Sequence, residues 1–315
     1  MTTSPRSQFR FGLVGAGRMG RNHMRALVGS RLARITAVVD PSEDALRAIE
    51  APKISTYQDL DSMLDAGTID GALVCAPTTL HAATVKRIIA AGLPVLAEKP
   101  LGLNAREARG VAELASVAST PLQVGFWRRF VPMLSDLRRR ILAGDLGQLY
   151  SVCCFQWDGE PPGAYFRRNS GGIMADMAVH DFEQVRWLTG QEFETITAVA
   201  SEITVEPWPG DPESAQILAK LSGGATAAIS LGRRFPLGDS CKVEVFGTKG
   251  ADECRFLWPP TADATFFAAL RAQAHSFVEH VGGAQQEGAS GFDAAAALAA
   301  ADRASEALGR TAITA

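Results

Sequence analysis

FRFGLVGAGRMGRNHMRALVGSRLARITAVVD, residues 9–40, is the stretch that decides the fold. Phe9 to Val14 is a short apolar-rich run, and GAGRMG (Gly15 to Gly20) follows it at once. A helical pattern comes next, with Ala26, Leu27 and Val28 on its apolar side. A glycine-rich turn alone says little, because such turns are common. Here it lies between a strand and a helix, and a second strand, Arg34 to Val39, ends in Asp40, 20 residues after Gly20. That is the spacing of a dinucleotide-binding βαβ unit. Gly15 permits the tight turn, Gly17 lets the backbone approach a pyrophosphate, and Gly20 allows close packing of helix on strand. Ala16, Arg18 and Met19 complete the loop, and the helix N-terminus turns its amides to the phosphates. Asp40 is placed to accept hydrogen bonds from the adenosine ribose and to repel a 2′-phosphate, so NAD is expected in preference to NADP.

The alternation continues beyond this unit. Tyr57 to Leu64 reads as a short helix, and Gly71 to Cys75 as a buried strand ending in Ala76-Pro77-Thr78. His81 to Ala91 reads as a helix closed by Gly92, and Pro94 to Ala97 as the next strand. Repeated βαβ order implies an α/β fold with a parallel, doubly wound sheet of Rossmann type, its ligands at the carboxyl ends of the strands. Two features lie at such ends: Ala76-Pro77 with His81, and Glu98-Lys99-Pro100. A lysine there is commonly just solvated. Desolvated beside a nicotinamide ring, it can act as a hydrogen-bond donor or proton relay. His23 reads as a packing or capping residue of the first helix.

The alternation stops near Pro121 to Val124, which predicts a dinucleotide-binding domain over 1–123 and a second domain over 124–315. In the second part, a helix around Met133 to Leu142 and a strand over Tyr150 to Trp157 precede Asp158 to Ser170, a Gly-, Pro- and Arg-rich loop. IMADMAVHDFEQVRWL, Ile173 to Leu188, is then a helix with two faces. At about 100° per residue, Met174, Ala178, Phe182, Val185 and Leu188 share one side, and Asp176, His180, Glu183 and Trp187 the other. Asp176 and His180 are an i, i+4 pair, in which a carboxylate can orient an imidazole and make it a usable proton acceptor. Thr195 to Thr204, Ser214 to Leu221, Ala225 to Arg233 and Cys241 to Phe246 follow as antiparallel strands, and Phe266 to Val281 and Phe292 to Leu308 as helices. The second domain is therefore expected to be α+β with a large open, mostly antiparallel sheet.

Composition narrows the function class. Charged residues make up 21% and hydrophobic ones 47% of 315 residues, as in ordinary globular proteins. A net charge of -3 argues against a nucleic-acid partner. Five cysteines with no C-x-x-C pair predict neither a disulfide framework nor a metal site, and they suit a reducing cytoplasm. The polar start MTTSPRSQ does not read as a signal peptide, and no apolar run approaches membrane-spanning length.

GAGRMGRNH, VVD, CAPTTLH, VLAEKPL, VGFWRRF, SGGIMADMAVHDFEQVRWLTG and FGTKG occur in an order and spacing that resembles the glucose–fructose oxidoreductase / inositol dehydrogenase / rhizopine catabolism (Gfo/Idh/MocA) family, over nearly the whole chain. The D-x-x-x-H-D helix looks closest to that of inositol 2-dehydrogenases. The resemblance implies an NAD(P)-dependent dehydrogenase acting on a hydroxyl or keto carbon of a cyclic polyol or sugar. It implies Lys99, Asp176 and His180 as catalytic residues, with His180 as the base, Asp176 orienting it and Lys99 bonding the same substrate oxygen. It implies Glu98 as a residue fixing cofactor and lysine, and a homodimer or homotetramer formed through the second sheet.

Departures from the inositol-dehydrogenase pattern bear on substrate. Val131 stands where an aspartate is usual, His180-Asp181-Phe182 continues into Glu183 rather than Asp, and Trp127 is bulkier than expected. Trp127, Arg128, Asp158, Arg167 and Glu183 are the candidate substrate contacts. Two alternatives stay open: a reductase of a keto-sugar biosynthetic intermediate, and a non-catalytic NAD-binding regulator of the same fold. The second has no need of Lys99, Asp176 and His180 together, and this chain has all three.

Overall fold

The opening strand and turn form as the apolar pattern requires, and the rest of the chain builds on them. The computed structural model describes residues 8–49, 53–201, 203 and 211–311. Its first part runs β1 (Phe9–Val14), α1 (Arg18–Leu27), β2 (Ala33–Val39), α2 (Glu43–Arg47), β3 (Ser55–Tyr57), α3 (Leu60–Asp65), β4 (Gly71–Val74), α4 (Thr78–Ala90), β5 (Val95–Ala97), α5 (Ala105–Val117) and β6 (Leu122–Val124). The strands pair in the order β3-β2-β1-β4-β5-β6, and every pairing is parallel. Strand order reverses where β1 meets both β2 and β4, so the loops after β1 and β4 diverge and leave a crevice at the carboxyl edge. Short polar residues start the helices: Ser42, Asp59 and Asn104 each accept an amide three residues on. Such caps satisfy donors a helix end leaves orphaned, at about 0.5–2 kcal/mol each.

A 3₁₀ turn, Trp127–Phe130, leads into α6 (Pro132–Leu142), β7 (Leu149–Trp157) and α7 (Ala164–Asn169). A π-helical turn, Met174–Ala178, runs directly into α8 (Val179–Thr189). Then come β8 (Phe193–Ala200), β9 (Ser214–Leu221), β10 (Thr226–Gly232), β11 (Ser240–Gly247), β12 (Ala251–Leu257), α9 (Ala262–Val281) and α10 (Gly291–Thr311). The second sheet has the order β12-β11-β7-β10-β9-β8. All its pairings are antiparallel except β7 with β10, which is parallel. The mostly antiparallel open sheet is as expected. The predicted strand to Thr204 stops at Ala200, and residues 202 and 204 lie outside the described residues.

Several elements were not legible as strand or helix, β3, α7 and β12 among them, and Tyr57, expected to open a helix, ends β3 while the helix starts at Leu60. β3 is three residues long, and α7 sits in the segment read as loop. β12 carries Asp252, Glu253 and Arg255 because it is the sheet's last strand, where charges cover an exposed edge.

One face of the second sheet is dry. Val152, Cys154, Ile217, Ala219, Ala227, Ile229, Val243 and Val245 are buried with Phe182, Val185 and Leu188 of α8 in one cluster. A fully buried side chain of this size contributes about 1.5–3 kcal/mol of transfer free energy. The opposite face is open, with Leu218 64% and Val199 52% exposed. The last two helices return to the first sheet. α9 packs on α1 and sends Ala274 and Phe277 into the cluster of Phe11 and Leu13, while α10 packs on α5, α8 and β8. Among the described residues, no helix is long and apolar enough to cross a membrane.

Candidate active site

At the nucleotide end the geometry is made by backbone. Gly15 has φ +99°, a left-handed conformation, and a Cβ there would lie 2.7 Å from the Cys75 carbonyl oxygen. A Cβ on Gly20 would lie 2.1 Å from the Gly15 oxygen, so only glycine lets α1 approach the loop this closely. Gly17 differs: nothing lies within 4 Å of its would-be Cβ, and no side chain caps the start of α1. Its neighbours Arg18 and Met19 are exposed and half-buried, and Ala16 is buried. Open space over uncapped helix amides is what a pyrophosphate requires, so the site fits the dinucleotide. Asp40 is held in place, its Oδ2 accepting the Ala16 amide at 2.8 Å and its Oδ1 the Ser42 amide at 2.9 Å.

Two buried histidines fasten the loops of this edge. His81 places Nδ1 2.6 Å from the Pro100 oxygen and Nε2 2.6 Å from the Ala76 oxygen, joining the loop after β4 to the loop after β5. Burial pushes its imidazole below the ordinary value, against the pull of these two carbonyls. His23 Nε2 lies 2.7 Å from Glu98 Oε1 with both side chains buried, and Glu98 Oε2 accepts the Lys99 amide at 3.3 Å. His23 is thus more than a packing residue, because it fixes the carboxylate next to Lys99. The Lys99–Pro100 peptide bond is cis.

Lys99 crosses from the first sheet to the π-helical turn. Its Nζ donates to the Asp176 backbone oxygen at 2.7 Å and to Asp176 Oδ1 at 2.9 Å. An ammonium has three N–H donors, so one remains for a ligand. Asp176 Oδ2 accepts from Arg233 Nη1 at 2.6 Å. Burial disfavours the ionised carboxyl, but the charges of Lys99 and Arg233 outweigh it and hold Asp176 well below the usual carboxylate range. His180 packs edge-on against Phe126 with centroids 5.9 Å apart. Burial, reinforced by the charges of Lys99 and Arg128, pushes its imidazole well below the ordinary value, so it is neutral at physiological pH. Its Nδ1 is buried and has no hydrogen-bond partner among the described residues.

The expected Asp176–His180 contact is replaced. Both Asp176 oxygens go to Lys99 and Arg233, and no hydrogen bond joins it to His180 among the described residues. The physical reason is local: the Val179 amide bonds back to the Met174 oxygen, five residues away, so α-helical stacking at four residues does not hold across this turn. The two-faced reading of the helix also changes, because every residue from Met174 to Val185 is buried.

Of the candidate substrate contacts, Asp158 alone keeps an open face, with 34% of its side chain exposed 4.0 Å from Arg233. Burial, then the charge of Asp176, pushes its carboxyl up to about 6, with Arg233 opposing. The structure corrects the expectation for Arg128 and Glu183. Arg128 is 2% exposed and its fork is spent on Asp181 (2.7 Å), Gln184 (3.1 Å) and Gln156 (2.7 Å). Glu183 is 1% exposed and ion-paired with Arg129. A buried guanidinium or carboxylate must have its charge matched internally, and with that charge paired and almost no surface neither side chain faces a ligand. Trp127 packs edge-on against Phe256 and Phe266, and Arg167 binds Asp211 and Glu213. Arg233 and Asp211 were missed in the sequence. Arg233 stands in LGRRFPLG with no motif around it, and only the register of β10 beside β7 brings it to the site.

The chain matches known proteins along nearly its whole length. Residues 9–126 match the model of an oxidoreductase family with an NAD-binding Rossmann fold, and residues 134–252 match the Gfo/Idh/MocA C-terminal domain. The rhizopine catabolism protein MocA of Rhizobium meliloti is 48% identical over 305 residues, 96% of both chains. An inositol 2-dehydrogenase of Rhizobium meliloti is 33% identical, over 94% of this chain and 95% of its own. The crystal structure of a putative myo-inositol dehydrogenase from Sinorhizobium meliloti superposes with a TM-score of 0.88 at 31% identity, covering 96% of this chain and 98% of that one. With both halves matched and relatives of this identity aligned end to end, the chain belongs to the Gfo/Idh/MocA oxidoreductase family.

Proposed function

We propose that the chain is an NAD-dependent dehydrogenase that moves a hydride between the nicotinamide and a hydroxyl-bearing carbon of a cyclic polyol. One observation carries this reading: the Lys99 ammonium, two of its donors fixed on Asp176, sits with a neutral buried His180 where the carboxyl edge of the first sheet meets the second. When bound, NAD supplies the hydride acceptor. The uncapped start of α1 binds its pyrophosphate, and Asp40, already oriented by two amides, keeps lone pairs for the ribose hydroxyls and repels a 2′-phosphate. At the substrate, the remaining Lys99 N–H donates to the reacting oxygen and stabilises the negative charge that develops on it. His180 accepts the hydroxyl proton on its unprotonated ring nitrogen. Asp158, as a carboxylate, accepts from a further substrate hydroxyl. The same groups serve the reverse reaction.

Identity is higher to the MocA relative than to the inositol 2-dehydrogenase over nearly the same length. That favours, as a second reading, a substrate from rhizopine catabolism over a plain inositol. The open outer face of the second sheet, with Leu218 and Val199 exposed, supports a homo-oligomer formed there.

The test is absorbance at the reduced-nicotinamide band, with NAD or NADP and a panel of inositols, their amino and deoxy derivatives, aldoses and a rhizopine. Turnover with NAD and one cyclic polyol is the expected result. Silence across the panel, in both directions and with NAD binding shown by titration, overturns the reading in favour of a cofactor-binding regulator.

A further inference from the structure

The charged groups at the site do not end at Asp176. Arg233 is the first residue past β10, and Asp158 the first past β7. Because these two strands are parallel, with Gly232 opposite Trp157, both residues leave the sheet at the same edge. The Arg233 side chain is 0% exposed. Its Nη1 donates to Asp176 Oδ2 at 2.6 Å and its Nη2 to Asp211 Oδ1 at 2.9 Å. Arg167, on α7 in the segment between β7 and the π-helical turn, donates from Nε to Asp211 Oδ2 at 2.7 Å and from Nη1 to Glu213 at 3.1 Å. Charge therefore alternates along a buried line from Lys99 through Asp176, Arg233 and Asp211 to Arg167.

We propose that Arg233 is a positioning residue for the reaction: it keeps the Asp176 carboxylate ionised and aimed at Lys99, and joins that pair to the α7 segment. This rests on the reading of Lys99, Asp176 and His180 as the reacting centre. A buried guanidinium needs anionic partners, and that alone would be a structural role. The division of the Asp176 oxygens says more. With Oδ2 locked by Arg233, Oδ1 can point only at Lys99, and the direction of the last free ammonium N–H is set. The charged groups around Asp176 are Lys99 from the β5 loop, Arg233 from the end of β10 and Asp158 from the end of β7, with neutral His180 on its own helix. The Asp176 charge raises the proton affinity of Asp158, whereas burial alone works against the Asp176 carboxylate, so without Arg233 only Lys99 opposes its protonation.

The experiment compares Arg233→Met, Arg233→Lys and Asp211→Asn by pH profiles of kcat and KM, using NAD and the polyol that the panel identifies. Arg233→Met is expected to lower kcat on the order of 100-fold, the scale of a small misplacement. It should also move the acid limb of kcat, which Asp158 does not set, up by at least about one pH unit, as loss of one adjacent opposite charge does. Arg233→Lys brings the limb part of the way back. Asp211→Asn loosens the same network but removes a negative charge, so its limb stays at or below that of the wild type. NADH binding is retained in all three. A substrate-free readout follows the thermal midpoint of the full chain from pH 7 to 3. A carboxyl with a depressed pKa stabilises above its unfolded value and stops doing so as pH falls through its folded value. The wild type has the full Asp176 contribution above about pH 4, the unfolded value, and Arg233→Met only a part of it, so the gap between their midpoints is largest at neutral pH and narrows as pH falls towards about 3.

Equal pH profiles for the Arg233 and Asp211 variants, with only thermal stability lost, overturn the proposal. If Arg233→Met does not fold, Arg233→Lys against Asp211→Asn decides it, and equal acid limbs again overturn it. Lys99→Ala keeps the two readings apart: normal turnover in that variant sinks the assignment of the site, while a dead Lys99→Ala beside an unshifted Arg233 variant sinks only the positioning role.

Discussion

The two ends of the active crevice are built by different means. The nucleotide end uses backbone: left-handed Gly15, close-packed Gly20, the free start of α1, and one carboxylate held by the amides of Ala16 and Ser42. The substrate end uses buried charges from distant parts of the chain, with Lys99 and Asp176 77 residues apart and Asp176 and Arg233 57 apart. The first kind of site tolerates little change in shape and much in side chains. The second tolerates little change in charge.

Five substitutions bear on that contrast. The largest effect is expected at the charged end: Lys99→Ala or His180→Ala should lower kcat about 10²–10⁴-fold, the scale of general acid–base catalysis, and leave NADH binding intact by fluorescence titration. Comparable loss of NADH binding would mean that the two ends are not separable. Next is a shape change at the nucleotide end. Gly20→Ala sets a methyl against the Gly15 oxygen and should cost about 1–3 kcal/mol of stability in denaturant unfolding, with weaker NAD binding. An unchanged unfolding midpoint would show that the loop yields, contrary to a backbone-built site.

Asp40→Ala removes the carboxylate that faces the ribose at the nucleotide end. NAD affinity should fall about 10–100-fold, since a hydrogen bond to a charged group is worth about 1.5–3 kcal/mol, and NADP should be discriminated against less. Unaltered affinities for both cofactors would exclude its ribose role. The smallest effect concerns Asp158, whose carboxyl is pushed up to about 6. Because it protonates as pH falls through that value, the substrate KM should rise below about pH 6. Asp158→Asn should flatten this rise while changing kcat little. A KM independent of pH between 5 and 7 in the wild type would remove Asp158 from the substrate end.

Legibility in the sequence follows the same division. GAGRMG and Asp40 were readable because turn, amides and carboxylate lie within a single βαβ unit, where local spacing sets geometry. Lys99 was readable as a polar residue at a strand's carboxyl end. The direction of Asp176 was not, since the four-residue rule assumes an unbroken α-helix and the Met174–Ala178 turn is wider. Arg128 and Glu183 looked like ligand contacts because charge in a sequence gives no sign of burial. Their partners Asp181 and Arg129 lie 53 and 54 residues away from them. Arg233 needed the parallel pairing of β7 with β10, which sequence alternation does not specify.

The wide turn has a consequence for how such a site can change during evolution. One surplus residue in a helical turn sets the phase of everything after it, by about 100° per residue. Deleting Met177 or Ala178 would therefore turn Asp176 and His180 relative to one another about the helix axis while every catalytic side chain remained in the chain. The constellation is written partly in chain length, a coordinate that point substitutions never sample and that a one-codon deletion changes at a stroke.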